Sequence, residues 1–198
     1  MERRSLIAAF TRGPDGTVLV DLRAAETRLL ADLFQDLLDL LADQQDGARP
    51  EPAPVDPLAA ELGLTGLGDD TVPRKPDDPA LARLTPDAYP DDPEAAAEFR
   101  RYTQGDLTAQ RRKRAALAIE TLGRIGGGGR LSLTTAEAAA WLGALNDLRL
   151  VLGTRLEITA DEQEPGASFS PGDPRTAYVP VYYYLGYLQE TLVESLAG

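Results

Sequence analysis

Leucine recurs at helical spacing in several stretches of the chain, and the pattern breaks sharply between them. After Asp21, the run LRAAETRLLADLFQDLLDLLADQ places Leu22, Leu29, Leu30, Leu33, Leu37, Leu40 and Leu41 on one stripe, which predicts a core-facing helix over 21–45 with Asp21 as its N-cap. A second long helix is predicted over 93–123, with Asp92 as N-cap, Pro93 at the first helical position, Glu94 in the first turn and Gly123 near the end. On its wheel Phe99, Tyr102, Leu107 and Leu117 share a side with Asp106, Gln110 and Lys113, so that face is only half apolar. Thr134 and Glu137 have the spacing of a capping box and start a helix over 134–158. Helical spacing resumes over 178–197 through Val181, Leu185, Leu188, Leu192 and Leu196.

The remaining segments read differently. Residues 5–20, SLIAAFTRGPDGTVLV, are two short β-prone runs joined by Gly13-Pro14-Asp15-Gly16, which predicts a β-hairpin leaning on a helix. From Asp46 to Pro93 the chain carries 10 of its 15 prolines. Residues 46–92 are therefore expected to form an irregular, exposed, proline-rich insertion, with a brief helical turn at 57–64. Gly126 to Gly129 are expected to be a flexible connection, because no GK[ST] follows them and a helix rather than a strand leads in. Residues 159–177 read as a loop, and no repeat of fixed period is present. The predicted architecture is one mainly α domain over 1–198: a bundle of about four main helices with an N-terminal β-hairpin and a long proline-rich insertion.

Composition narrows the chemistry. The 198 residues include no Cys and no His, which removes disulfides, thiolate and imidazole metal sites, and every triad that needs an imidazole base. The net charge of −12 argues against general adhesion to nucleic acid or an anionic membrane. RRKR at 111–114, with Arg100 and Arg101, is expected to be a solvated, ion-paired helix face rather than a nucleic-acid contact. The acid pairs Asp69-Asp70, Asp77-Asp78, Asp91-Asp92 and Asp161-Glu162 lack the alternation of a calcium loop, so no metal and no cofactor is expected. The early apolar run LIAAF is shorter than the roughly 7–15 residues of a signal-peptide core. No later stretch reaches the roughly 20 apolar residues of a membrane span, and a soluble cytoplasmic protein is expected.

Two features stand out as candidate sites. With Leu145 at zero on the wheel, Arg149 falls at about 40°, inside the stripe of Trp141, Leu148, Leu152 and Leu156. Asp147 points almost the opposite way. A desolvated guanidinium needs acceptors from another helix. Gln189 lies inside the apolar stripe of the last helix, and Asp106 is turned toward Phe99 and Leu117 on its own helix. A polar cluster of Arg149, Asp106 and Gln189, with Asn146 or Glu190 as alternates, is expected between three helices. It is either a sealed register-fixing network or the floor of an open ligand pocket. The second feature is the tyrosine run at 182–184 and 187: consecutive residues on a helix cannot share a face, so Tyr183, Tyr184 and Tyr187 are candidates for a partner surface, with packing inside the chain as the alternative. Exposed apolar area on that helix would also suit a homodimer.

ALNDLRLVLGTRLEI, LGYLQETLVESL and the opening DGTVLVDLRAAETRLLADLFQDLLDLL resemble the actinobacterial family called domain of unknown function 2017. The resemblance covers both ends and the centre, with 46–93 as the stretch expected to depart. It implies no catalytic residues. It does imply a context, because genes of that family tend to lie beside the gene for ClpS, the adaptor of the Clp protease. The expectation is a non-catalytic cytoplasmic interaction module with a protein partner, an accessory or regulator of Clp-type proteolysis. The alternative is a small-ligand binder or enzyme whose pocket is organised by Arg149 and nearby carboxylates. An open cleft floored by Arg149 favours the second, and a sealed network with exposed tyrosines favours the first.

Overall fold

The computed structural model describes residues 9–47, 76–89, 91–158, 166 and 169–197. In chain order the described elements are β1 (Thr11–Arg12), β2 (Val18–Leu22), α1 (Ala24–Gly47), α2 (Pro79–Leu84), α3 (Pro93–Gly123), β3 (Gly129–Leu133), α4 (Thr135–Arg155) and α5 (Val179–Ala197), with a 3-10 turn at Pro174–Tyr178 before α5. The fold is mainly α, and a small antiparallel sheet closes one side. Much of the insertion, including 57–64 and Asp69-Asp70, lies outside the described residues, as does Asp161-Glu162.

The turn that joins β1 to β2 is closed by Gly13, whose N–H donates to the Thr17 carbonyl at 2.8 Å, and by Gly16 at a φ of 73°. The hairpin has a third strand that the sequence reading missed. β3 pairs antiparallel with β2, placing Val18 opposite Leu133, Val20 opposite Leu131 and Leu22 opposite Gly129. Val18, Val20, Leu22, Leu131 and Leu133 alternate inward and bury completely, which is the period-two signature of a half-buried sheet. The glycine run before β3 is consequently a fixed turn rather than a loose linker. A Cβ on Gly128, at a φ of 114°, would come within 2.7 Å of the Ala24 nitrogen. β3 passes that close to the junction of β2 and α1, and only glycine leaves the room.

Caps set the helix boundaries. Asp21 does not cap α1, because it is paired in β2 and exposed. Glu26 does so instead, accepting at 2.8 Å from the N–H of Arg23. Asp78 and Asp92 each precede a proline and each accept two backbone N–H groups, so α2 and α3 open identically. The Asp78-Pro79 start places a helix inside the insertion that was expected to be irregular. Thr134 and Glu137 form the reciprocal capping box of α4. Arg124 joins it, and with the cap N–H it holds the Glu137 carboxyl down at about 2. α4 ends at Arg155, three residues short of the predicted 158, in a 6→1 bond from the Ile158 N–H to the Gly153 carbonyl.

The core is built from the inward face of the sheet, Leu30, Phe34, Leu37 and Leu41 of α1, Ala115, Ala118 and Leu122 of α3, Trp141, Leu145 and Leu148 of α4, and Leu185, Leu188 and Leu192 of α5. α3 packs on α1 and α4, while α5 packs on α4. The face of α3 turned inward is not the aromatic one. Phe99 and Tyr102 are 40% and 64% exposed, whereas Gln104, Thr108, Ala115 and Ala118 are buried. Small side chains let α3 approach its neighbours, and Phe99 meets Tyr89 of the preceding segment edge-on at 6.1 Å.

Two glycines give opposite expectations in equilibrium denaturation. Gly128→Ala is expected to cost about 2–4 kcal/mol, through strain at positive φ and a backbone clash. Gly105→Ala, in mid-helix with open space around a new Cβ, is expected to gain about 0.5–1 kcal/mol. A neutral Gly128→Ala would mean that the turn is loose.

Candidate functional site

Asp147 and Arg149 stand two residues apart on α4 and so point about 200° from one another. They serve different neighbours. Asp147 faces α3, where its side chain is 4% exposed and its Oδ1 lies 3.4 Å from Arg111 Nε. Arg114 adds positive charge to the same carboxylate, and Gly143 makes room for it, since a Cβ there would stand 2.8 Å from Arg114 Cδ. Arg111 Nη2 also donates to the Leu84 carbonyl at 2.5 Å, tying down the end of α2. Burial pushes the Asp147 carboxyl above its ordinary 3.8, against the pull of the two arginines. The 111–114 run is therefore not a purely solvated face, because Arg111 is inserted between helices.

Arg149 faces α5. Its Nη1 donates to Gln189 Oε1 at 2.6 Å, and its guanidinium lies over the Tyr182 ring, 5.2 Å from the centroid, with the Tyr182 hydroxyl 3.5 Å from Nη2. Gln189 in turn points its Nε2 toward Asn146 Oδ1 at 3.5 Å, the limit of a hydrogen bond. Asp106 takes no part. It is exposed on α3, and α4 stands between that helix and α5, so a wheel that places Asp106 on the apolar side of its own helix says nothing about reaching Arg149. Among the described residues no carboxylate pairs with Arg149, and its Nε is buried without a hydrogen-bond partner.

Arg149 opens onto a groove of about 630 Å³ along α5, lined by Tyr182, Tyr183, Tyr187, Gln189, Glu190 and Val193 among others. Tyr183 and Val193, 52% and 46% exposed, recur with Tyr187 and Glu190 along one side of the helix. The groove is open along its length. Gly186 brings the helix close to the arginine, since a Cβ there would lie 3.6 Å from Arg149 Cζ. Tyr184 does not belong to this surface. It turns inward to pack on the core beside Arg23 and Glu26, and burial together with the Glu26 charge pushes its phenol well above its ordinary value. Glu190 is exposed on the rim and is not a partner of Arg149.

The sequence reading named neither Arg83 nor Glu194, both of which line space beside Arg149. Arg83 was within reach: Asp78-Pro79 repeats the helix-start signature of Asp92-Pro93, and a helix begun there carries Arg83 in its last turn. No helix among the described residues is long and apolar enough to cross a membrane.

The chain belongs to the family described as "Domain of unknown function (DUF2017)", whose model matches residues 7–196. It is 36% identical over 189 residues to the oxidative stress regulator AosR of Mycobacterium tuberculosis, covering 87% of this chain and 79% of that protein. It is likewise 36% identical over 186 residues to the putative oxidative stress regulator AosR of Mycobacterium leprae, covering 86% and 78% of the two chains. No solved structure matches the chain.

Removing Arg111 strands a buried carboxylate. Arg111→Met is expected to cost about 3 kcal/mol, much of it regained in Arg111→Met/Asp147→Leu. In the single variant the folded-state value of Asp147 rises further above its unfolded one. The folded state then binds the extra proton, so stability is greatest on the acid side and falls as pH rises through the shifted value. Urea midpoints that are equal in acid and at neutrality would contradict this.

Proposed function

We propose that this DUF2017 protein is a non-catalytic regulator that acts by docking a segment of a protein partner along α5. The observation that carries the reading is the open groove in which Tyr183 and Val193 stand exposed, with Tyr187 half-buried between them, beside Arg149. A small-molecule site encloses most of its ligand, whereas a groove open along a helix suits an extended or helical segment. Tyrosine supplies large contact area at low entropic cost, and Arg149 and Glu190 offer both signs of charge for register.

The names of the mycobacterial relatives support a role in the oxidative stress response. With no cysteine among its 198 residues, thiol oxidation is closed to this chain, and on this reading an oxidant signal reaches it through the partner. An accessory role in Clp-type proteolysis rests on the family resemblance alone. In either case the reading places the protein in the cytoplasm.

The test is complementation under hydrogen peroxide. Loss of the gene is expected to change survival and the transcripts induced by peroxide. Wild-type protein should restore both, and Tyr183→Ala/Val193→Glu, with unchanged thermal stability, should not. Full rescue by that variant, or no phenotype on deletion, would sink the reading. Sedimentation of the purified protein separates the rival occupant: a dimer dissolved by Val193→Glu assigns the face to a second copy of the chain.

A further inference from the structure

Across the Tyr182 ring from the α5 groove lies a second concavity of about 310 Å³, between α2, the last turns of α4 and the start of α5. Arg83, Arg149, Thr154 and Tyr182 line it, with Leu150 and Ile158 as apolar wall. Gly153 keeps the helix backbone close to the ring, because a Cβ there would already touch Tyr182 Cε2 at 3.4 Å. The lining contains two guanidiniums and no carboxylate, in a chain with 32 acidic and 20 basic residues.

Most arginines with a structural role here have acids beside them. Arg23, Arg100, Arg111, Arg124, Arg155 and Arg175 each sit in an ion pair. Arg83 and Arg149 have no such pair among the described residues; Arg149 leaves a buried Nε unbonded, as Arg100 and Arg111 do, but unlike them it has no carboxylate beside it. A half-buried guanidinium held by an amide and a ring, but given no counter-charge, is pre-organised for an anion from outside. The second arginine, exposed on a six-residue helix, can close over it. Thr154 refines the class of ligand: its hydroxyl donates to the Leu150 carbonyl at 2.8 Å, so toward the pocket it can only accept. That suits a ligand with a hydroxyl or amine next to its anionic group.

We propose that this pocket binds a small organic dianion, a phosphomonoester or dicarboxylate, whose anionic group is held between Arg83 and Arg149. Two positive charges match two negative ones, and the volume fits a molecule of a few carbon atoms beyond that group. The site stands on its own geometry, so it survives if no partner docks on α5.

The experiment follows the backbone amides of Gly153, Thr154 and Ile158 by NMR in the full chain. Glycerol 3-phosphate, malate and inorganic phosphate are titrated separately at constant ionic strength, with chloride as the reference anion. At least one of the two organic dianions is expected to give saturable shifts with a Kd of about 1 mM or tighter. Arg83→Gln should weaken it by about tenfold or more at unchanged thermal stability. Arg149→Lys, which keeps the charge but loses the planar fork, should weaken it as well. Arg130→Gln, on the exposed face of β3, should not. Saturation by inorganic phosphate alone would show an adventitious ion only and overturn the proposal. So would the absence of saturation with either organic dianion, or equal affinity in Arg83→Gln.

Discussion

The structure turns on Trp141. Its indole is fully buried near the start of α4 and meets Phe10, just before β1, and Phe34 of α1 edge-on, at 5.7 and 5.4 Å between centroids. Its Nε1–H donates to Thr121 Oγ1 of α3 at 2.8 Å. One side chain thus joins three separate parts of the chain to the fourth, and satisfies its own donor in doing so. With α4 pinned there, the helical period decides what each later position faces. Leu145 and Leu148 meet the core, Asp147 meets α3, and Arg149 meets α5.

That division explains why the two polar faces of α4 differ. The α3 side has a buried acid, two arginines and a backbone carbonyl, all drawn from the protein itself. The α5 side has an arginine, an amide and a phenol ring, with no acid among the described residues. The first arrangement has its counter-charge within the protein, although Arg111 Nε and Nη1 and Asp147 Oδ2 are buried without a hydrogen bond. The second is held in place yet short of a counter-charge, and it is the one that borders open space on both sides of Tyr182.

The sequence was most legible where a single element carries its own signal. The leucine stripe of α5, that of α1 beyond Leu22, the Asp-Pro start of α3 and the Thr134–Glu137 box are local facts, and each sits where its pattern places it, whereas Leu22, read as the first leucine of the α1 stripe, ends β2. What depends on a neighbour was hidden. β3 is five residues whose strand character comes from pairing with β2. The inward face of α3 is made of Ala, Thr and Gln, because closeness rather than apolar bulk is what its neighbours require, and Phe99 and Tyr102 drew attention to the wrong side. The same limit applied to the site. The wheel can put Arg149 and Gln189 each inside an apolar stripe, but only tertiary order shows that α5 is the neighbour on that side and that Asp106 stands beyond α4.

Equilibrium urea unfolding of Arg149→Met separates an arginine positioned for something outside the fold from one that holds the fold together. Replacing a functional charge by a packed apolar chain is expected to leave stability within about 1 kcal/mol of the wild type, or to raise it. A loss of about 3 kcal/mol or more, the size expected when a buried register-fixing contact is broken, would contradict the account and return Arg149 to the architecture of the helix pair.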